Sequence, residues 1–574
     1  MSGADRRKYL TSTTLDQALL DWQADCLDNR LEMVVDIQTP TGYIYASDRN
    51  KYVDGVFYEA LLNFPVIGRT VGDWLSATVK FSQLQLELSN VDGRFNHILQ
   101  QGADYGGWVG KTVTVKVGLA ELGSTYQPIF NGLITEIGGV LRSVKSVTII
   151  ARDRYEKLSK NFPNTYLSQS VYPYLEDGLV GKALPYIYGD YTINLNPAAA
   201  IVPSYPLNGK DPNVIGGETT PSGPPTGVFN NVKFRISDNP LPFFDTANVW
   251  FKKSDRYFRC PDIVNVGADN NSFEVVQQLT AWLDGSTYTF AQGDTFLVQV
   301  KGKDLSGYND NIVAQAKDIL KTFGGAVDAD FDSNWATYMN KSTPAQSAIV
   351  NIKSRVWENE PKPALDYALS MLAQVRLEAF IDRSLMIKIN SLQFEDFNAS
   401  PSFVVKNWDV AKDTFSPQLD TRNNFNRVQA AYDFHPDVAD NARNTPIYHN
   451  AASITQVGKP ISKLIAFPNL YIATDVQNQV QEILKMASAM FEIINVKLTW
   501  RALLLDIGDF VKLNVQIGGT IFEDVPVMIR DVGYDSKGLS IPIIGWSFAL
   551  CPFPGYTPTY GGTVGGYNAT IAQE

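Results

Sequence analysis

Two stretches near opposite ends of this chain carry the same pattern of a glycine turn followed by three β-strands. The equivalent stretches are 109–117 and 507–515, then 132–138 and 527–533, then 146–150 and 539–544. The spacing from the first glycine to the last is about 28 residues for Gly110 to Gly138 and about 25 residues for Gly508 to Gly533. A difference in the length of one loop accounts for this at little cost. Order, polarity and spacing agree across three strands, which predicts two related small β-barrels. Chance similarity is the alternative, because the vocabulary of β-strands is small.

The first of these turns imitates a phosphate-binding loop. In YGGWVGKTVTVKVG, residues 105–118, the Gly-Lys-Thr ending of such a loop is present, but Tyr105 stands where the first glycine should be. The following residues 112–117 alternate with a period of two, which indicates a strand. A phosphate loop needs a helix N-terminus behind its glycines. The glycine turn is therefore interpreted as a corner of a barrel and not as a nucleotide site.

The remaining periodicities predict a mainly β chain with α+β segments. Turn-separated strands fill residues 31–153 and return after the last long helix. The predicted helices cover about 14–26, 310–323, the stretch PALDYALSMLAQV at 363–375 and about 475–491. The third helix leads into a predicted hairpin, LEAFIDRSLMIKI. Residues 160–305 are rich in Pro, Gly, Asn and Tyr, and 216–227 is interpreted as a surface loop or linker.

Composition narrows the classes of function. The formal net charge of −11 argues against a general binder of nucleic acids or acidic membranes, which would carry a basic patch. The N-terminus lacks the apolar core of a signal peptide. The longest uncharged apolar stretch, 539–553, is interrupted by prolines and a glycine and is too short to span a bilayer as a helix. The three cysteines lie far apart and have no metal-ligand spacing, so we expect folding in a reducing cytoplasm.

Motifs for metal chemistry fail at defining positions. None of the three histidines, His97, His435 and His449, has a histidine partner at helical spacing. The stretch DADFDSN at 328–334 begins like a calcium loop, but Ser333 replaces the required glycine and Met339 replaces the final glutamate. We therefore expect neither metal ions nor other cofactors.

Glu358 and Glu360 form the most suggestive pair of carboxylates. Residues two apart on a strand project from one face, about 6–7 Å apart, and paired carboxylates at such distances serve glycosidases. Pro361 and Pro363 follow at once, which favours a solvated strand end. The predicted catalytic set is therefore empty, with Glu358 and Glu360 as candidates only if the chain is an enzyme.

Several stretches taken in order resemble the baseplate hub, or tail-tip, proteins of tailed bacteriophages and related gene-transfer particles. In the N-terminal part they are LELSNVDGRFNHIL (86–99), FNGLITEI (130–137) and GKALPYIYGDY (181–191). The helix and hairpin at 363–392 resemble the central part of that family, and LLLDIGDFVKLNV (503–515) resembles its second barrel. Together they span most of residues 31–550.

This resemblance implies a fold of two tail-tube-like β-barrels with inserted domains. Together with the periodicities and composition, it predicts a helical arm at 1–30, a first barrel at 31–160, a Pro/Gly-rich β insertion at 161–305, an α+β segment at 306–400, a second barrel at 401–550 and an extended tail at 551–574. The Pro/Gly-rich insertion and the Gly/Tyr-rich tail have no recognised counterpart in that family.

The resemblance also implies a structural role in the virion and not an enzymatic one. Such hubs are homotrimers whose six barrels match the hexameric tail tube, and their threefold end docks a spike or fibre. Implied partners are further copies of the chain, a distal tail or tail-tube protein, a tape-measure protein and the central spike or fibre. DNA passes transiently without sequence-specific binding, and no stable membrane insertion is expected. Assembly would occur in the host cytoplasm.

Two other functions are consistent with the sequence. A carbohydrate-active β protein, either a glycosidase or a polysaccharide-binding tip, would use Glu358 and Glu360. A receptor-binding tip would place its specificity in residues 160–305 and in the C-terminal tail, because loops carry recognition without a fixed motif.

Overall fold

A computed structural model describes most of the chain between Leu31 and Ser547, together with Ile571–Gln573. The described ranges are 31–63, 67–71, 79–80, 83–99, 107–119, 122–138, 145–153, 158–192, 202–208, 232–253, 256–259, 263–275, 278–280, 287–289, 295–307, 309–339, 352–382, 386–391, 401, 403–411, 414–419, 424–434, 436, 442–488, 492–499, 502, 505–517, 520–534, 540–547 and 571–573. The helix predicted at 14–26, the linker predicted at 216–227 and all three cysteines lie outside these ranges.

Nine of the strands between residues 31 and 153 form one sheet, in the order β3-β4-β2-β1-β9-β10-β11-β8-β5. Its strands alternate buried and exposed positions, as in Gln83–Ser89, so one face of the sheet is apolar. The elements are β1 (Leu31–Thr39), β2 (Gly42–Ser47), β3 (Lys51–Val53), β4 (Val56–Ala60), β5 (Leu62–Asn63), β6 (Ile67–Val71), β7 (Val79–Lys80), β8 (Gln83–Ser89), helix α1 (Asn96–Leu99), β9 (Thr112–Leu119), β10 (Leu122–Gly138) and β11 (Ser146–Asp153).

Residues 161–301 form short strands with a core of their own. Two four-stranded sheets, β14-β23-β17-β18 and β15-β16-β20-β19, enclose the buried rings of Phe234, Phe273 and Phe296. The strands are β12 (Asn161–Phe162), β13 (Tyr186–Tyr188), β14 (Val202–Pro203), β15 (Tyr205–Pro206), β16 (Val232–Arg235), β17 (Phe243–Lys253), β18 (Arg256–Arg259), β19 (Ile263–Val266), β20 (Ser272–Val275), β21 (Gln278–Thr280), β22 (Thr287–Thr289) and β23 (Thr295–Lys301).

Most of the described helices lie in the next part of the chain. They are α2 (Ile312–Thr322), α3 (Asn334–Met339), α4 (Ala364–Ala373), α5 (Ala451–Val457) and α6 (Ala473–Ser488). The strands are β24 (Val356–Glu358), β25 (Lys362–Pro363), β26 (Leu377–Ile381), β27 (Ile387–Ser391), β28 (Phe403–Lys406), β29 (Ser416–Leu419), β30 (Arg427–Tyr432), β31 (Arg443–Asn444), β32 (Tyr448–Asn450), β33 (Ser462–Phe467), β34 (Glu492–Thr499), β35 (Phe510–Ile517), β36 (Thr520–Tyr534), β37 (Ser540–Ser547) and β38 (Ile571–Gln573).

The α+β elements predicted from periodicity are confirmed. Asn311 caps α2 by accepting a hydrogen bond from the N–H of Ala314, as a helix N-terminus requires. The predicted hairpin is β26 paired with β27. Helices α2, α4 and α6 bury their apolar faces in a second core together with this hairpin and β30. No helix in the described part of the chain is long and apolar enough to cross a membrane.

The sheet near the C-terminus repeats the strand order of the first sheet. In each sheet, six strands can be numbered 1 to 6 in the order in which they occur along the chain. They are β1, β5, β8, β9, β10 and β11 in the first sheet and β28, β29, β34, β35, β36 and β37 in the second. Both sets lie side by side in the spatial order 1-4-5-6-3-2. The first strand differs in direction, since β1 is antiparallel to β9 and β28 is parallel to β35. The similarity noticed in three strands of the sequence thus extends to six strands of the structure.

The glycine corners of the two sheets have matching hydrogen bonds. The N–H of Gly110 donates to the carbonyl of Ile134 at 2.8 Å, and that of Gly508 donates to the carbonyl of Ile529 at 2.9 Å. A β-bulge follows each of these isoleucines. Both glycines have a φ of 82°, a conformation that favours glycine. Each corner leads directly into a strand, so the turn at Gly110 is architectural, as the sequence indicated.

Replacing each corner glycine by alanine is expected to have unequal effects. Both substitutions incur backbone strain of about 1–2 kcal/mol. A Cβ at Gly110 meets open space, whereas a Cβ at Gly508 meets the side-chain amide of Asn390, which must turn away at a further cost of about 0.5–1.5 kcal/mol. Urea unfolding should therefore show a larger loss for Gly508→Ala than for Gly110→Ala. Equal losses would contradict a close contact between Gly508 and the β26–β27 hairpin.

The two repeated sheets share one hydrophobic core. Buried residues from the two sheets belong to a single continuous cluster, among them Val113, Val115, Ile134 and Ile149 of the first sheet and Val511, Leu513, Ile529 and Ile543 of the second. Strand β6 crosses between them: it follows β5 of the first sheet along the chain but pairs with the end of β36 in the second, with Ile67 opposite Tyr534. The two sheets are therefore joined by backbone hydrogen bonds as well as by side chains.

The predicted fold class is confirmed as mainly β with several sheets and α+β segments. Among the described strands, the paths of hydrogen-bonded neighbours run from β3 to β5 in the first sheet and from β28 to β29 in the second. Neither path closes on itself within the described ranges.

Glu492 at the start of β34 gives the second sheet a pH dependence. Burial raises the pKa of this carboxyl to about 7, so its contribution to stability is complete below about pH 4.5 and is lost as the pH rises to about 7. In Glu492→Gln, the fall in the free energy of unfolding between pH 4.5 and 7 should be smaller by about 1–2 kcal/mol, a value that allows for solvent screening. Melting temperatures of both proteins from pH 4.5 to 8 test this, and parallel curves would contradict it.

Candidate functional site

A cavity of about 590 Å³ lies where the inserted strands meet the α+β segment. Its wall combines residues next to β13, on β24, along α4 and after β30. The lining residues are Tyr191, Arg355, Trp357, Glu358, Lys362, Pro363, Asp366, Tyr367, Ser370, Phe434, Pro436, Pro468 and Asn469. A cavity of this size, with aromatic walls and a few polar groups, is the usual form of a small-molecule site.

Arg355 in the wall is held by two aromatic rings and an ion pair. Its guanidinium lies 3.8 Å from the ring centroid of Tyr471 and 5.3 Å from that of Tyr191, and Nη1 is 3.4 Å from Oδ1 of Asp433. Burial raises the pKa of the Asp433 carboxyl, while Arg355 and Arg443 oppose that rise. The stacking and the ion pair hold the guanidinium in one orientation.

Asn469 ties the opposite wall to helix α4. Its side-chain amide donates to the carbonyl of Arg355 at 3.0 Å and to the hydroxyl oxygen of Tyr367 at 3.1 Å. Its backbone N–H donates to the side-chain oxygen of Gln374 at 3.0 Å. Because these groups are buried and mutually bonded, the wall is preorganised before any ligand arrives.

The structure separates the two glutamates that the sequence paired. Glu358 is buried at the end of β24, where Oε2 accepts from the ammonium of Lys362 at 2.8 Å. Its Oε1 accepts from the backbone N–H of Glu360 at 3.0 Å. Glu360 lies beyond the strand and is exposed. Only Glu358 lines the cavity, so the pair does not share one strand face as an i, i+2 spacing would place it.

The calcium-like stretch uses its carboxylates for local contacts. Asp328 forms ion pairs with Lys317 and Lys321, Asp330 accepts from the N–H of Val327, and Asp332 accepts from the N–H of Asn334. Across the described ranges, no group of three or more His, Cys, Asp or Glu residues is placed to hold a metal ion. Of the histidines, His449 lies in β32, the side chain of His97 in α1 is not described, and His435 lies outside the described ranges.

Most of the cavity could not have been found from the sequence. Tyr191, Trp357 and Asn469 come from segments far apart in the chain, and none of them belongs to a recognisable motif. The only signal was the carboxylate of Glu358 next to a tryptophan.

Comparisons with known proteins give similarities of structure. No family model and no curated protein matches this chain. The structure is similar to the 43 kDa tail protein of prophage MuSo2 from Shewanella oneidensis, with 10% identity, a TM-score of 0.39 and coverage of 90% of this chain and 98% of that chain. It is also similar to a tail protein from Neisseria meningitidis MC58, with 9% identity, a TM-score of 0.38 and coverage of 90% and 96%.

A third similar structure is the c3393 protein of E. coli, described as a component of the type VI secretion system with structural similarity to the T4 bacteriophage tail proteins gp27 and gp5. It has 8% identity, a TM-score of 0.33 and coverage of 91% of this chain and 74% of that chain. The first two of these solved structures are tail proteins, and the third is described as similar to tail proteins.

Proposed function

We propose that this chain is the structural hub of a phage-type tail, a homotrimeric ring that closes the tail tube. The observation that carries the proposal is the repeated six-strand order, 1-4-5-6-3-2, in two sheets of one chain. Two equivalent units in one polypeptide let three chains present six similar units. A hexameric tube and a threefold spike or fibre can then meet on one component, and closed cyclic symmetry limits the assembly to one ring.

The contacts between the two sheets support a ring of alternating units. The common core and the pairing of β6 with β36 fix the two units of one chain relative to each other. Among the described strands, β5 is an edge strand of the first sheet and β29 is an edge strand of the second. Pairing or covering such edges across subunits would protect strands that otherwise promote aggregation.

In this proposal the two units are tube-like barrels, at about 31–160 and 401–550, that contact neighbouring copies and the tail-tube or distal tail protein. The second unit is interrupted by β30–β33 with α5 and α6. The segments at 161–305 and 306–400 lie between the units in the chain, and β38 (Ile571–Gln573) pairs with β32. A tape-measure protein and a central spike or fibre would complete the tail tip, assembled in the host cytoplasm and carried in the virion.

The role is structural and requires neither catalysis nor a cofactor. The net charge of −11 suits a channel through which DNA passes without adhering, because a basic wall would retain the phosphate backbone.

Light scattering of the purified full chain tests the trimer. We expect a particle of three times the chain mass of 63.6 kDa. Because a closed ring leaves no free interface, the mass should not rise above that of the trimer at higher concentrations. A monomer over the whole accessible concentration range, both alone and mixed with the tail-tube protein, would contradict the proposal.

A further inference from the structure

The charges around the cavity cancel. Arg355 and Lys362 contribute two positive charges, and Glu358 and Asp366 contribute two negative charges. Glu358 and Lys362 lie 2.8 Å apart, so part of this cancellation is local. A cavity lined in this way has no net attraction for a phosphate, a free carboxylate or an ammonium group, and its charged groups favour a neutral ligand with many hydrogen-bonding groups.

Aromatic rings and prolines form the rest of the wall. Tyr191, Trp357, Tyr367 and Phe434 line the cavity and offer ring faces for apolar C–H surfaces.

These features distinguish between two neutral ligands. A proline-rich peptide would cover the rings and its carbonyls would accept from Lys362, but its prolines have no N–H to donate to the carboxylate of Asp366. A saccharide presents C–H faces to the rings and hydroxyls that both donate and accept. A saccharide therefore complements both the aromatic rings and the charged groups that line the cavity.

We propose that the cavity lined by Trp357, Glu358, Lys362 and Asp366 is a binding site for an uncharged saccharide. This function is additional to the structural role proposed above and does not depend on the ring.

Saturation-transfer NMR on the full chain tests the site. The probes are glucose, galactose, mannose, rhamnose, N-acetylglucosamine and N-acetylgalactosamine, with glucuronate and glucosamine as charged comparators. We expect transfer to at least one neutral sugar and weaker transfer to the charged analogue of the same ring. Asp366→Asn should weaken binding about tenfold, the effect of losing one charge-assisted hydrogen bond.

A pair of variants separates the cavity from the rest of the surface. Ser370 is exposed on α4 and lines the cavity, so Ser370→Trp should fill it and abolish transfer while the helix stays folded. Thr474→Trp is the matched control, at an exposed position of α6 outside the lining, and should leave transfer unchanged.

Transfer lost only in Ser370→Trp supports the proposal. No transfer to any neutral sugar, or equal transfer in both variants, overturns it. A synthetic proline-rich peptide or inorganic phosphate that binds in place of the sugars, and is blocked by Ser370→Trp, also overturns it. The trimer is measured by light scattering, so failure of the site and failure of the ring are seen separately.

Discussion

Replacing Glu378 by alanine is expected to destabilise the protein by about 3–5 kcal/mol. Glu378 in β26 and Arg530 in β36 are both buried, with side chains 3% exposed. The guanidinium contacts both carboxylate oxygens, with Nη2 2.6 Å from Oε1. Removing the carboxylate breaks this buried ion pair between the central hairpin and the second repeated sheet. Urea unfolding of the full chain measures the loss.

An exposed ion pair serves as the matched control. Glu59 and Arg94 are 43% and 44% exposed, and such pairs contribute only about 0–1 kcal/mol. Glu59→Ala should therefore change the midpoint of unfolding little. The double variant Glu378→Leu/Arg530→Met, which removes both charges, should be closer to wild type than Glu378→Ala. Similar losses for Glu378→Ala and Glu59→Ala would show that the buried pair does not join the two elements.

Replacing Ile67 by alanine is expected to cost about 2–5 kcal/mol and to weaken both repeated sheets at once. Ile67 is fully buried in the core that the two sheets share. Its strand, β6, pairs with β36, although residues 62–63 just before it belong to the first sheet. Hydrogen exchange should show reduced protection in β10 and β36 together, because one cooperative unit contains both strands.

Leu464 provides the control for this substitution. It is 65% exposed on β33, so Leu464→Ala removes the same kind of side chain from the surface and should change stability by less than about 0.5 kcal/mol. Loss of protection confined to one sheet in Ile67→Ala would mean that the two sheets are independent of each other.

Local patterns predicted a large part of this fold. The spacing from Gly110 to Gly138 and from Gly508 to Gly533 identified strands that the structure places at equivalent positions, because a glycine turn and alternating side chains are local properties. Helices α2, α4 and α6 and the β26–β27 hairpin were predicted for the same reason, since each has a regular apolar face.

The contacts between distant segments could not be predicted. Nothing in the residues around Ile67 indicates that this strand leaves its neighbours and pairs with β36, since the same alternation suits either sheet. The pairing of Glu358 with Glu360 assumed a strand through both residues, whereas β24 ends at Glu358. The cavity depends on Tyr191, Arg355 and Asn469, which only the tertiary fold brings together.

Electron microscopy of the purified full-length protein tests the central claim most directly, because it shows the number and similarity of the units. We predict a threefold ring around a channel, with six lobes of similar size arranged as two alternating kinds. A ring in which each chain contributes one lobe, or a chain that forms no ring even on assembled tail tubes, would contradict the proposed hub.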